Sequence, residues 1–65
     1  MSWFLREINE VGATVRLCME DGRLITGRAL GVDISADAPA GVLSFQSGNS
    51  VYRFVDTDIA DYITL

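Results

Sequence analysis

The side chains able to do chemistry in this 65-residue chain are nine carboxylates, five arginines and one cysteine. Histidine and lysine are absent, so the commonest general base, the Schiff-base amine and the usual nitrogen ligand of metals are missing. Catalysis would have to use carboxylates alone, and a domain of this size offers no evident deep pocket. We therefore expect a binding or assembly module that is not an enzyme and needs no cofactor.

The carboxylates are concentrated in the second half of the chain. Residues 31–65 carry five aspartates against Arg53 alone, a net charge of −4, whereas residues 1–30 are neutral. Asp56, Asp58 and Asp61 resemble the start of a calcium loop but lack its central glycine and distal glutamate, so we expect no metal site. We interpret these three as an acidic face for a protein partner, with turn capping and solvation as the alternative role.

One basic residue stands between two aromatic ones in the sequence Tyr52-Arg53-Phe54. Aromatic and guanidinium groups stack on and pair with nucleotides in single strands, so Tyr52 and Arg53 are candidates for RNA binding. In a strand, alternation sends Tyr52 and Phe54 to one side and Arg53 to the other. Arg53 could equally form an ion pair at the surface or between subunits.

The hydrophobic periodicity predicts one short helix followed by five strands. Ser2 is a plausible N-cap, Asp21-Gly22 indicates a hairpin, and Gly27 and Gly31 indicate a bulge or sharp bend in the second strand. We expect one helical turn at 56–59, which Asp56 could cap. The predicted bounds are a helix at 2–10 and strands at about 14–20, 23–32, 42–46, 51–55 and 60–65.

These elements predict a single mainly β domain over residues 1–65, a small bent barrel with the helix across one end. Incomplete closure would leave strand edges, and residues 62–65 of the last strand are too apolar to stay exposed, so we expect a homo-oligomer formed through strand edges. We expect no signal peptide, and no apolar run approaches the ~18 residues of a membrane span. With a single cysteine, Cys18, the expected location is the cytoplasm.

Residues 15–33 resemble the first motif of the Sm and Sm-like family. The matching positions combine alternating apolar residues, an acidic-Gly hairpin, a later glycine and a final aspartate: Val15, Leu17, Met19, Asp21-Gly22, Gly27 and Asp33. The resemblance implies an SH3-like or Sm-like barrel of five strongly bent strands, assembled into rings. It also implies RNA binding by Asp33, Asp37, Tyr52 and Arg53.

The second half departs from that pattern at two positions. Asp37 stands where Sm-like proteins have an asparagine, and an ionised carboxylate cannot supply the amide donor. Phe54 stands where the family has a glycine, or the histidine of the bacterial Sm-like host factor. Both departures fall in the region that binds RNA.

In other features the chain resembles a second branch of Sm-like proteins, the small acidic inhibitors of the termination factor Rho. The shared features are the Asp21-Gly22 hairpin, Arg53 in the fourth strand and the acidic turn Asp56-Thr57-Asp58-Ile59. This resemblance implies a protein partner that itself handles nucleic acid and meets an acidic face.

Two hypotheses follow from the sequence. The first is a non-catalytic Sm-like module that associates with itself and engages a protein partner through its acidic face. The second is a ring-forming Sm-like protein that binds RNA. The charge of −4 and the residues Asp37 and Phe54 favour the first, and the complete first motif keeps the second open.

Overall fold

The computed structural model describes residues 1–65, and its element order is the one that the sequence predicts. The elements are α1 (Trp3–Glu10), β1 (Val15–Met19), β2 (Leu24–Asp33), β3 (Val42–Ser47), β4 (Ser50–Phe54), a 3₁₀ turn (Asp56–Asp58) and β5 (Ile59–Thr64). Each predicted helix or strand boundary lies within one residue of the observed one. The alternation of apolar residues and the turn signals were therefore enough to place the elements.

Helix α1 begins as predicted, because the Ser2 hydroxyl accepts a hydrogen bond from the Leu5 amide at 3.4 Å. The helix packs on the sheet through Leu5 and Ile8, which are both buried. The sequence predicts that the helix docks its aromatic side on the core, with presentation of Trp3 to a partner as the alternative. Phe4 does pack against the core, but Trp3 is 72% exposed. Trp3 precedes Leu5 by two positions, about 200° around the helix, and so points away from the core.

The strands form one antiparallel sheet in the order β4-β3-β2-β1-β5. One side of the sheet carries the core. The ten buried hydrophobic residues are Leu5, Ile8, Val15, Leu17, Met19, Ile25, Leu43, Phe45, Phe54 and Ile59. The mainly β class with a short N-terminal helix is therefore confirmed. The sheet is not closed, because β4 and β5 each have a neighbour on one side only.

Strand β2 bends where its pairing changes from β1 to β3. Its first half, Leu24–Gly27, pairs with β1, and its second half, from Arg28 to Asp33, pairs with β3 across an irregularity between Ala29 and Gly31. At Gly27 the chain crosses so close to the Gln46 carbonyl that a Cβ atom would overlap it. The predicted bulge therefore lies beside Gly31, and Gly27 permits the close crossing.

The 3₁₀ turn is capped differently from the prediction. The Val55 amide donates to the Asp58 carboxylate at 2.9 Å, so Asp58 and not Asp56 satisfies the free donor at the start of the turn. The reason is position, since Val55 occupies the N-cap and the side chain three residues later can reach back to it.

The single α-helix is eight residues long, and no helix has the length and apolar character needed to cross a membrane.

Replacing Gly27 by alanine should lower the free energy of unfolding by about 2 kcal/mol or more, because the added methyl group must displace the β3 backbone. Gly31→Ala is the matched control, since nothing lies within 4 Å of a Cβ at that position. Urea unfolding followed by circular dichroism measures both. Equal unfolding midpoints for the two variants would contradict the close crossing at Gly27.

Candidate binding surfaces on the open sheet

The two ends of the sheet expose apolar side chains beside charged ones. We call the side of the sheet away from the core the outer face. At one end β4 and the residue after it present Val51, Arg53 and Val55 on this face, with Val51 60% and Val55 39% exposed. At the other end β5 and the residue after it present Asp61, Ile63 and Leu65, with Ile63 48% and Leu65 58% exposed.

Main-chain groups at both ends also face away from any neighbouring strand. In an antiparallel pair, alternate residues direct their N–H and C=O groups away from the neighbouring strand. Ser47 and Ser50 flank a two-residue turn as a bonded pair, so the register turns Val51 and Arg53 towards open solvent. The Leu65 amide donates to the Thr14 carbonyl, so by the same alternation Tyr62 and Thr64 face the other open edge.

The structure brings together two of the four residues expected to bind RNA. The Arg53 guanidinium lies 3.4 Å from the Asp33 carboxylate, although the two are 20 positions apart in the chain. Their side chains are 59% and 72% exposed, so the ion pair contributes little to stability, about 0–1 kcal/mol. Arg53 is therefore available to other partners.

The other two expected RNA-binding residues lie elsewhere. Tyr52 is on the core side of β4, where its ring stacks on Phe54 with centroids 5.6 Å apart and an angle of 9°. Asp37 is exposed in the loop between β2 and β3, and its side chain makes no hydrogen bond or ion pair. Tyr52 and Arg53 thus point to opposite sides of their strand, as the alternation predicts.

The three aspartates of the expected acidic face occupy two different elements. Asp56 and Asp58 lie on the 3₁₀ turn, where one Asp58 carboxylate oxygen accepts the Val55 amide. Asp61 lies on β5 opposite Cys18, and its carboxylate accepts the Tyr62 amide at 2.8 Å. No group of three or more carboxylate or cysteine side chains is arranged to hold a metal ion.

An open cleft of about 340 Å³ lies between the tip of the β1–β2 hairpin and the 3₁₀ turn. Eight residues line it: Met19, Glu20, Asp21, Arg23, Arg53, Phe54, Thr57 and Asp58. The hairpin is fixed to the turn by a hydrogen bond from the Glu20 amide to the Asp58 carbonyl at 2.9 Å. Glu20 and Arg23 flank the Asp21-Gly22 turn of the hairpin, and no local sequence signal shows that the hairpin reaches Asp58.

The charges in the cleft are mixed and partly paired. Arg23 contacts Asp21 at 2.7 Å through its guanidinium and donates its amide to the same carboxylate at 3.0 Å. The pKa of Asp21 is held below its ordinary value, chiefly by the hydrogen bond from the Arg23 amide and further by the one from its guanidinium. The cleft therefore presents both signs of charge and does not favour a simple anion or cation.

Strand β5 is attached to the helix through Tyr62. Its hydroxyl donates to the Glu7 carboxylate at 2.7 Å, and its ring lies 6.0 Å from that of Phe4. The hydrogen bond to a carboxylate favours the protonated phenol and raises the pKa of Tyr62 above its ordinary value. This contact fixes one edge of the sheet although β5 lacks a second neighbouring strand.

Comparisons with known proteins find no match to a family model, to a curated protein or to a solved structure.

Proposed function

We propose that this chain is a non-catalytic binding and assembly module of the Sm-like barrel type, acting in the cytoplasm. It associates with itself through the open edges of its sheet and engages a protein partner, one that handles nucleic acid, through an acidic face formed by Asp56, Asp58 and Asp61. The barrel of this proposal is completed by contact between copies, since the sheet of one chain stays open.

The observation that carries self-association is the pair of strands with one neighbour each. Exposed edges with unpaired main-chain groups are templates for another strand, and soluble proteins usually cover them or guard them with charge. Here Val51 and Val55 flank a single arginine at one edge, and Ile63 and Leu65 lie beside a single aspartate at the other. Each edge therefore combines apolar surface with only one charge.

The charge distribution supports the proposal that a protein partner binds the acidic face. The net charge of −4 comes from residues 31–65, and Asp56, Asp58 and Asp61 lie within six positions of one another there. A concentrated negative potential attracts basic surfaces and raises their association rate. Proteins that bind nucleic acid carry such basic surfaces.

Reversing charge on the acidic face should weaken binding to an oligo-arginine peptide, which stands for a basic partner surface. The test variant is Asp56→Lys with Asp61→Lys, because Asp58 is needed to cap the turn. The matched control, Glu10→Lys with Asp37→Lys, makes the same change in net charge elsewhere. Calorimetry measures the dissociation constant of each variant, and we expect the test variant to lose about tenfold more affinity than the control.

Equal losses in the two double variants would show that the peptide responds to net charge alone, and would contradict an acidic face at these positions. Circular dichroism of each variant confirms that the fold persists.

A second candidate function is a ring-forming RNA-binding protein, which is favoured by the contact between Arg53 and Asp33. That contact joins two of the four positions that the family resemblance assigns to RNA. Against it stand the exposed, unpartnered Asp37 and the position of Tyr52 on the opposite side of β4 from Arg53.

The RNA hypothesis predicts that the wild-type chain binds a single-stranded oligonucleotide and that Arg53→Ala abolishes this binding, because Arg53 is the only cation among the four residues assigned to RNA. Fluorescence anisotropy with a labelled oligouridine measures it, and Arg6→Ala on the exposed side of α1 is the control. Undiminished affinity in Arg53→Ala would remove Arg53 from this role.

A further inference from the structure

Two leucines on the middle strand of the sheet are exposed to solvent. Leu24 is 63% and Leu30 is 55% exposed, and the alternation of burial along β2 places both on the outer face. Strand β2 has β1 and β3 as neighbours, so association of copies through β4 and β5 leaves these side chains uncovered. The solvated face of an antiparallel sheet is normally polar. The two leucines therefore have no role in the packing of their own chain.

Two arginines on the same face have no carboxylate partner. Arg28 lies between the leucines on β2, and Arg16 lies on β1 opposite Thr26. The Arg16 Nε donates to the Thr26 hydroxyl at 3.2 Å, and an Arg28 Nη donates to the Gly12 carbonyl at 3.0 Å. Neither arginine makes an ion pair. Both positive charges are therefore uncompensated, although the chain as a whole carries a net charge of −4.

The register places these two arginines side by side. Arg16 is opposite Thr26, and Arg28 follows Thr26 by two positions on the same face, so the arginines are diagonal neighbours. Diagonal neighbours in an antiparallel pair are about 7–8 Å apart, within reach of long side chains. Each guanidinium gives one hydrogen bond to a neutral oxygen and keeps its other N–H donors free.

The two aspartates that the strands place on this face are engaged elsewhere. The Asp33 carboxylate contacts Arg53 at 3.4 Å, and the Asp61 carboxylate accepts the Tyr62 amide at 2.8 Å. The unpaired arginines therefore form a local positive site with an exposed leucine towards each end of the strand.

We propose that the surface made of Arg16, Leu24, Arg28 and Leu30, which we call the β2 surface, binds an acidic amphipathic helix of a protein partner. Apolar side chains of that helix pack on the two leucines, and its carboxylates accept hydrogen bonds from the two arginines. The β2 surface shares no residue with the acidic face or with the open edges. The proposal therefore does not depend on either of them.

The ligand is a helix because β2 has no free edge. Both neighbouring strands bond to its main chain, so an extended peptide finds no main-chain groups there to pair with. A helix satisfies its own main chain and presents only side chains. The two leucines are six positions apart, at most about 20 Å along a strand, which a helix of about 13 residues covers.

The side chains on this face favour a peptide over a nucleic acid. Single strands bind by stacking bases on aromatic rings and by several phosphate contacts. The aromatic residues of the strands all lie in the core or pack against it, namely Phe45, Tyr52, Phe54 and Tyr62. The β2 surface instead offers aliphatic side chains and two cations, which match apolar residues and carboxylates.

The test uses the full chain and a labelled synthetic peptide of leucine, glutamate and alanine, about 14 residues long. Its leucines form one face of a helix and its glutamates lie beside them. Fluorescence anisotropy should show saturable binding to the wild-type chain. Arg16→Gln and Arg28→Gln should each raise the dissociation constant roughly tenfold, because a charged hydrogen bond to a glutamate is lost. Leu30→Thr should raise it roughly fivefold through the loss of apolar contact.

Matched controls separate the β2 surface from general effects of charge and hydrophobicity. Arg6→Gln removes the same charge from the exposed side of α1. Ile34→Thr removes an aliphatic side chain of nearly equal exposure, 56% against 55% for Leu30. Both should bind the peptide like the wild-type chain. A peptide of the same composition in scrambled order has no apolar face and should bind roughly tenfold more weakly.

Three results would overturn the proposal. The first is a wild-type chain that does not bind the peptide, and the second is equal losses in the variants and their controls. The third is an oligouridine that binds the wild-type chain and loses affinity in Arg28→Gln, which would assign the surface to nucleic acid. None of these results bears on the acidic face, which is tested with a different peptide and different residues.

Nuclear magnetic resonance of the wild-type chain covers the case in which a variant fails to fold. During titration with the peptide, the amide signals of Thr26 and Arg28 should shift, whereas those of Arg53 and Thr64 on the end strands should not. Shifts confined to the end strands would place the peptide at an open edge and would be incompatible with binding to the β2 surface.

Discussion

The constraint on which the structure depends is that 65 residues must bury a core with a sheet that does not close on itself. A domain this small buries only about 60% of the surface that its unfolded chain exposes, so each core contact matters. The bend of β2 at Gly27 and beyond brings both halves of the sheet onto one core, and α1 adds Leu5 and Ile8 to it. The result is a packed core, with β4 and β5 left as the two edge strands of the sheet.

The same constraint separates the surfaces that could have a function. The outer face of each end strand carries one charge among exposed apolar side chains, whereas the 3₁₀ turn carries aspartates that partly serve its own capping. Asp61 is common to both surfaces, since it is one of the three aspartates of the proposed acidic face and the one charged residue on the outer face of β5. In the proposed function, a basic partner and a neighbouring copy would therefore compete for Asp61, whereas Asp56 belongs to the proposed acidic face alone.

Sequence patterns predicted the parts of the fold that depend on local interactions. Val15, Leu17 and Met19 alternate along β1 with more exposed residues and are buried. Ser2 caps the helix by accepting a hydrogen bond from an amide only three positions later in the chain. The sequence left open whether Trp3 docks on the core or is exposed, because the apolar residues of a short helix do not show which of them the sheet will cover. The cap by Asp58 was missed because two aspartates compete for one turn.

The parts that the sequence did not predict depend on contacts between distant residues. A surface ion pair of Arg53 was one of the alternatives open from the sequence, but nothing local indicated Asp33 as its partner, and the approach of Glu20 to Asp58 had no local signal either. The first contact reaches across β3 from β4 to β2, and the second continues the pairing of β1 with β5, so both depend on which strands become neighbours. The glycines at 27 and 31 indicated that a bend exists but not its angle.

The measurement that tests the central claim most directly is amide hydrogen exchange of the wild-type chain at low and high protein concentration. Arg53 and Thr64 have amides that face the open edges, whereas the Leu17 amide is bonded inside the sheet. If copies associate through β4 and β5, protection at Arg53 and Thr64 rises with concentration while Leu17 stays protected throughout. Rapid exchange at both edge amides under conditions where the protein is oligomeric would contradict the account.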